Sequence, residues 1–411
     1  MILPEDFIRE TRAVMGEKRF NCFMEAFNED APVSIRLNPR KVEGGNHNSQ
    51  FSILNSQFDK VSWCPEGYYL EGRPQFTFDP LFHAGCYYVQ EASSMFITHV
   101  IKSWSEECGA VLDLCAAPGG KSTAMRTVLP EGSILVSNEP IANRAQILLE
   151  NITKWGWPNC IVTNNYPRDF RKAKTKFDII LCDVPCSGEG MFRKDPATIG
   201  EWSLQNVEKC WRLQREIVAD AWECLNPGGL LIYSTCTFNI KENEENIRWI
   251  LDTYDAEPIA IPTEPEWNIT GSLLEGFDIP VYRFIPGITR GEGLFMCVLR
   301  KRGVKSEECG LRNDILQKIQ GLKLISLPTP HSSLLEDAVD LTYQEALRYL
   351  RGEALVLPAD THRGIVTVTY CGFPLGPVKN IGSRANNLYP KPWRIKTTHL
   401  PTEPVEIICK P

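Results

Sequence analysis

The sequence predicts an α/β protein. Its centre is a parallel sheet covered by helices on both faces, with a small α+β region before it and a separate unit of short strands after it. Three observations carry this. Between Val111 and Thr235, short apolar runs alternate with segments of helical periodicity, as expected of strands buried on both faces and joined by helices. The first run breaks into the small-residue turn Cys115-Ala116-Ala117-Pro118-Gly119-Gly120, and Lys121-Ser122-Thr123 then opens a helix. Small residues let a backbone approach a ligand closely, and a helix start offers unpaired N–H groups. Acids stand near the carboxyl ends of the strands (Asp113, Glu139, Asp183), where open parallel sheets bind their ligands.

The 411 residues suit roughly two or three domains, which the sequence divides at 1–78, 79–301 and 302–411. The formal charge of −7 argues against unfocused binding to nucleic acid but leaves room for a local basic groove. No apolar run reaches a membrane span, and the start, MILPEDFIRETR, lacks a secretory pattern. The 15 cysteines are odd in number and form no C-x-x-C pair, which disfavours a disulfide framework or a zinc ribbon. Most are read as buried small hydrophobes, so a cysteine with a chemical role must stand out by its setting.

In chain order, residues 4–29 read as two amphipathic helices with Phe7, Val14, Phe20, Phe23, Met24 and Phe27 inward. Pro32 to Lys41 reads as a strand with a basic exit, in which Arg36, Arg40 and Lys41 suit a solvated surface first and phosphates as the alternative. Gly44 to Gln50 is a polar loop. A helix is expected from about Gln90, with Met95, Phe96, His99 and Val100 on one face and Ser93 and Ser94 capping or packing at its start.

The core strands are then Val111 onward, Ser133–Glu139, Cys160–Asn164, Phe177–Asp183 and Gly228–Thr235, with helices over residues 141–156 and 211–225. Asn239 and Glu242 fit a capping box for a further helix over residues 242–254. Glu139 closes the second strand about 20 residues beyond the turn, the distance at which a carboxylate takes both hydroxyls of a ribose.

Three ligand classes suit the turn. A phosphate loop needs Gly-x-x-x-x-Gly-Lys-Ser/Thr; Gly120-Lys121-Ser122 fits its end, but Cys115 stands where its first glycine belongs. A dinucleotide fingerprint is missing. S-adenosylmethionine (SAM) has a carboxylate, an ammonium, a ribose and an adenine but no phosphate, which suits a turn of Ala, Pro and Gly following an acid.

Two cysteines stand at this rim, Cys186 in DVPCSGEGMFRKDP and Cys236 in YSTCTFN. Phe192, Arg193 and Lys194 follow the first as a candidate nucleic-acid contact. Methylation of a pyrimidine at C5 needs such a thiol. Addition of a thiolate to C6 turns C5 into a nucleophile, an acid such as Asp183 assists at N3, and elimination frees the cysteine. Lys121 or a helix start helps a thiol to ionise. The residues alone leave the order of the two cysteines open.

LDLCAAPGGK, DVPCSGEG and YSTCT resemble, in order and spacing from about Asp79 to Lys301, the motif set of the RNA cytosine-C5 methyltransferases. The resemblance implies a Rossmann-like SAM-dependent methyltransferase core. It also implies a cofactor loop at Cys115, Ala116, Ala117, Pro118, Gly119, Gly120 and Lys121. In that family Glu139 is the ribose acid, Asp183 faces cofactor and base, Cys236 is the nucleophile and Cys186 assists product release. The family usually has an acid near the adenine after the third strand. This chain has Asn164, Asn165 and Tyr166 there, so an Asn165 amide and a stacked Tyr166 are the expected substitutes, with Asp169 farther along.

After Lys301, GVKSEECG reads as a linker, and Thr342-x-x-Glu345 caps a helix. GIVTVTYCGFPLGPVK makes two strands around a Gly turn. Ser383 to Lys396 carries Arg384, Lys391, Arg394 and Lys396 with Tyr389 and Trp393 and no acid, a composition suited to RNA as well as to a solvated surface. This end resembles the branch of the family that modifies small-subunit ribosomal RNA, which carries a PUA-like β-barrel domain.

The expected activity is therefore formation of 5-methylcytosine in small-subunit rRNA. The expected setting is a cytoplasmic monomer with SAM as cofactor, ribosomal RNA or the small ribosomal subunit as partner, no metal and no membrane contact. Transfer RNA as substrate and a non-catalytic assembly factor are the alternatives.

Overall fold

The computed structural model describes residues 2–42, 58–104, 108–303, 312–326, 338–397, 399–405 and 407–408. The polar loop expected at Gly44 to Gln50 and most of the GVKSEECG linker lie outside them.

The N-terminal helix Glu5–Glu25 breaks at Gly16, whose φ of 71° splits it into the two expected segments. Its apolar face does not serve a separate region. Phe7 meets Phe192 and Trp202 at ring distances of 5.1 and 5.5 Å, and Phe23 meets Phe238 at 5.0 Å. The helix therefore packs beneath the loops that carry Cys186 and Cys236. Strands β1 (Val33–Leu37), β2 (Gly67–Leu70) and β3 (Tyr87–Val89) form an antiparallel sheet in the order β2-β1-β3. That sheet runs past residue 78, because β3 pairs with β1. Ser93–Met95 is a 3-10 turn and Phe96–Lys102 a helix, with Met95, Phe96 and Val100 buried. Its start is capped by Glu91, which accepts from the Ser93 and Ser94 backbone N–H groups at 2.9 Å.

The central sheet contains β4 (Ala110–Asp113), β5 (Ile134–Asn138), β6 (Cys160–Thr163), β7 (Phe177–Asp183) and β8 (Leu225–Thr235). All five are parallel, in the order β8-β7-β4-β5-β6. Their side chains are almost all buried, which is why they read as apolar runs. The chain moves outward from β4 through β5 and β6, then returns to the other side with β7. The crevice at the carboxyl ends of β4 and β7 is thus the switch point where ligands bind.

The sequence did not disclose the edges. β9 (Ala256–Pro258), β10 (Tyr282–Phe284) and β11 (Leu294–Lys301) add antiparallel strands beside β8. At the far side β12 (Leu324–Ser326) pairs antiparallel with β6. The central sheet therefore takes in residues beyond Lys301. The helix Arg312–Ile319 packs Ile315 and Ile319 into the same core.

The last unit has β13 (Val339–Asp340), β14 (Gly364–Tyr370), β15 (Phe373–Asn380) and β16 (Ala385–Asn387) in one sheet. The expected hairpin turns at Cys371 and Gly372, both with positive φ. The helix Tyr343–Arg351 has the expected Thr342/Glu345 capping box. Tyr389 is buried in this core at 3% exposure, and Arg394 donates to its carbonyl at 3.1 Å. These two side chains are structural, so Tyr389 is not a platform for a base. Arg384, Lys391 and Lys396 are exposed and Trp393 half-buried.

Candidate active site

The turn after β4 stays tied to both neighbours of that strand. Leu114 N–H donates to Leu181 O at 3.0 Å, and Ala116 N–H to Asn138 O at 2.8 Å. The Ala117–Pro118 peptide is cis, and Gly119 has φ 114°, a region that favours glycine. The helix Gly120–Val128 starts directly after it. This helix is held from behind by Arg36, which is fully buried and donates to Thr123 Oγ1 at 2.7 Å and Gln90 Oε1 at 2.8 Å. Its guanidinium lies 4.4 Å from the centre of the Trp155 ring. Lys41 Nζ is likewise turned inward, donating to the Ala84 and Lys154 carbonyls. The expected solvated basic surface thus reduces to Arg40, which is exposed.

Two acids at the strand ends are poised for a ligand. Asp113 is fully buried and accepts from Ser122 Oγ at 2.6 Å through Oδ2, while Oδ1 has no partner. Burial, with the Asp183 and Glu139 charges adding to it, pushes its carboxyl up to about 7 against the Ser122 hydrogen bond. Glu139, 1% exposed, accepts from Ile141 N–H at 2.9 Å through Oε1. Its Oε2 accepts no hydrogen bond, although Arg144 Nη1 stands 3.4 Å away.

Three neighbouring acids repel phosphate, and two spare acceptor oxygens suit a ligand with hydroxyl or ammonium donors. The residues present therefore fit SAM and do not fit a nucleotide phosphate. Asn165 behaves otherwise than expected. Its amide donates to Lys323 O at 3.2 Å and accepts from Lys323 N–H at 3.0 Å. Asn164 donates to the Glu139 and Pro140 carbonyls, and its Oδ1 accepts from Lys323 Nζ at 2.6 Å. Both amides thus fasten the segment leading into β12 rather than facing an adenine. Tyr166 stays 56% exposed, and Asp169 accepts from its backbone N–H at 3.0 Å.

Asp183 ends β7 between two donors, Lys121 Nζ at 2.8 Å and Ser234 Oγ at 2.6 Å. Burial works against the Lys121 charge, but the Asp183 carboxylate and the nearby Cys236 sulfur outweigh it and raise the ammonium above its usual range. Cys186 Sγ and Cys236 Sγ are 3.2 Å apart. The Cys186 thiol lies well above the usual thiol range, first through its hydrogen bond to Cys236 and then through burial. The two sulfurs are within hydrogen-bond reach, and either thiol can donate to the other.

The loops carrying these cysteines are cross-braced. Gly190 N–H donates to Cys236 O at 2.7 Å, and a Cβ on Gly190 would stand 2.5 Å from that oxygen. Glu189, 2% exposed, accepts from the Phe238 and Asn239 backbone N–H groups at 2.6 and 3.1 Å and from Trp202 Nε1 at 3.0 Å. Asn239 and Glu242 do bond reciprocally, but the helix starts only at Glu244. Glu242 is fully buried and turned toward the Cys186 loop. Sequence reasoning missed Glu189 and Glu242 as site residues, because a capping-box spacing explained one and nothing marked the other. It also misread two residues after Cys186. Phe192 is fully buried and Arg193 pairs with Glu292 at 3.1 Å, leaving Lys194 exposed. Among the described residues no cluster of three His, Cys, Asp or Glu side chains is arranged for a metal, and no helix is long and apolar enough to cross a membrane.

Fold and site together define a methyltransferase with a Rossmann-like core, an N-terminal domain and a C-terminal PUA domain. The profile of 16S rRNA methyltransferase RsmB/F matches residues 100–300, that of the N-terminal domain of 16S rRNA methyltransferase RsmF residues 3–92, and that of the methyltransferase RsmF PUA domain residues 336–395. The chain belongs to the RsmB/F family of 16S rRNA methyltransferases. It is 29% identical to ribosomal RNA small subunit methyltransferase F of Enterobacter sp. (strain 638), over 95% of this chain and 96% of that one. The protein of the same name from Cronobacter sakazakii is 34% identical over 73% of this chain and 63% of the relative. Among solved structures, a methyltransferase homolog protein from Pyrococcus horikoshii is 26% identical with a TM-score of 0.58, covering 73% of this chain and 100% of that one. NSun6 from Pyrococcus horikoshii with SFG has the same fold, at 20% identity and a TM-score of 0.60 over 73% of this chain and 99% of that one.

Proposed function

We propose that this protein uses SAM to methylate C5 of a cytosine in small-subunit ribosomal RNA, through a covalent bond between Cys236 and C6 of the base. The observation that carries the reading is the pair of cysteines 3.2 Å apart beside the Lys121–Asp183 ion pair. Bound SAM supplies an electrophilic methyl group; the turn from Cys115 to Lys121 would hold it, and Glu139 would take its ribose hydroxyls. The Cys236 sulfur adds to C6, its lone pair becoming the S–C6 bond, and the displaced C5=C6 pair makes C5 nucleophilic. Lys121 favours the thiolate by charge, and the Lys121–Asp183 pair holds the proton that N3 shares as negative charge builds on the ring. After methylation the C5 proton passes to water and the C5–H pair forms the C5=C6 bond. As that double bond forms, the C6–S bond breaks and its pair leaves on the Cys236 sulfur, where the Cys186 S–H receives it. The target base must leave its stack to reach these groups.

The exposed cations Arg384, Lys391 and Lys396 of the C-terminal unit suit the RNA backbone. With the N-terminal region they are assigned the RNA contacts, while residues from about 79 into the β12 segment form the catalytic core. Ribosomal RNA as partner, a monomeric state and the cytoplasm complete the reading. Cys236→Ala is expected to abolish methyl transfer while SAM still binds in calorimetry; undiminished turnover would remove Cys236 as nucleophile. Bisulfite sequencing of RNA from a deletion strain reads the substrate. Loss of one methylated position in small-subunit rRNA supports the assignment, and loss in transfer RNA redirects it.

A further inference from the structure

The peptide groups on either side of Cys186 are both held by buried side chains from elements that lie beyond Cys236 or pack against it. Pro185 O accepts from Gln214 Nε2 at 2.9 Å, and Ser187 N–H donates to Glu242 Oε2 at 3.0 Å. Gln214 Nε2 also donates to Glu242 Oε2 at 2.6 Å, and Asn239 Nδ2 donates to Glu242 Oε1 at 2.8 Å. Gln214 cannot turn its amide over freely, because its Oε1 accepts from Asn246 Nδ2 at 2.8 Å. Tyr233 OH donates to Glu242 O at 2.6 Å. Glu242 and Gln214 are both fully buried. One carboxylate thus joins the loop of one cysteine to the segment after the other, and every donor on it needs an acceptor there.

We propose that Glu242 is the positioning residue for Cys186, holding the peptide after it so that the Cys186 S–H lies on the sulfur that departs from C6. The role rests on the two-cysteine reading above. It concerns the elimination half of the reaction: water takes the C5 proton, the C5=C6 bond forms, the C6–S bond breaks, and the Cys186 S–H steadies the charge on Cys236. The Glu242 charge also favours the protonated form of Cys186, after the larger effects of its hydrogen bond to Cys236, its burial and the Cys236 charge. Addition of Cys236 and methyl transfer do not need that proton.

Glu242→Gln keeps the shape but removes the charge and puts an N–H₂ against either the Ser187 and Gln214 donors or the Asn239 donor, so the hold on Ser187 N–H is weakened or lost. With a cytosine-containing fragment of small-subunit rRNA and SAM, the variant is expected to complete a first turnover at near the normal rate. Steady-state turnover should fall about tenfold, as for one lost hydrogen bond to a charged group, and a protein–RNA adduct should accumulate on denaturing gels. Gln214→Met, which leaves Glu242 in place and frees Pro185 O, should do the same if the first variant fails to fold. Cys186→Ala is the reference. No adduct with Cys186→Ala overturns the release role and the positioning role with it. Adduct with Cys186→Ala but normal steady-state turnover in the folded Glu242 or Gln214 variant overturns the positioning role alone. Equal loss of first and later turnovers also overturns it, since Cys236 would then be the group affected.

Discussion

Asp113 has a buried carboxylate with one oxygen bonded and one without a partner. Its carboxyl sits at about 7, against an ordinary 3.8, chiefly through burial. The folded chain therefore holds a proton that the unfolded chain has released, and the mismatch grows as pH rises from about 4 to 7. The residue costs nothing below that window and costs most above it. Asp113→Asn keeps an acceptor for Ser122 and removes the cost. The unliganded variant should gain stability over the natural protein by about 1–3 kcal/mol more at pH 8 than at pH 5 in urea melts. A gain independent of pH would show that Asp113 is not the group that titrates. The acid itself was legible in the sequence as a strand-end residue. Its missing partner was not, because that depends on where Glu139 and Asp183 come to lie.

At the scale of elements, β1 is the member that steadies the cofactor turn. Its Arg36 reaches Thr123 Oγ1 and Gln90 Oε1 and stacks on Trp155. Lysine cannot reproduce a fork with several donors and a flat face. Arg36→Lys should cost about 2–3 kcal/mol of stability, because it leaves buried acceptors unmet, and a change within 0.5 kcal/mol in a urea melt would refute the assignment. The strand was legible in PVSIRLNPRK, but the burial of its arginine was not. The hydrogen-bond partners of Arg36 are 54 to 91 residues away in sequence, and no local pattern carries that distance.

The same reason hid β11 and β12. The five parallel strands announce themselves by being apolar throughout, whereas an antiparallel edge strand is defined by its neighbour, and β6 precedes its partner Leu324–Ser326 by over a hundred residues of chain. Asn165 shows the consequence within the site. Its side chain was legible as a polar group at a strand end, yet it is spent on Lys323.

Across the whole molecule, the N-terminal sheet and the C-terminal unit share one apolar core, in which Ile35, Phe76, Leu81 and Tyr87 pack with Leu347, Tyr349, Val368 and Tyr389. Tyr343 OH donates to Phe78 O at 3.0 Å. The cations of the last unit are thereby held on the same frame as the catalytic sheet. Arg384→Glu combined with Lys391→Glu should weaken RNA binding and lower the slope of log affinity against log salt by about 2, with SAM affinity intact. An unchanged slope would take the RNA away from this face. The basic composition of Ser383 to Lys396 was legible, but the division of labour within it was not, because only packing separates buried Tyr389 from exposed Lys391.

The aromatic seam beneath the cysteine loops also bears on how the chain is made. Phe7, Phe20 and Phe23 leave the ribosome first, but their partners Phe192, Trp202 and Phe238 come much later. At usual synthesis rates the nascent helix waits on the order of ten to forty seconds with its apolar face uncovered. The helix that finally braces the catalytic loops thus lacks its partners until Phe238 has been made.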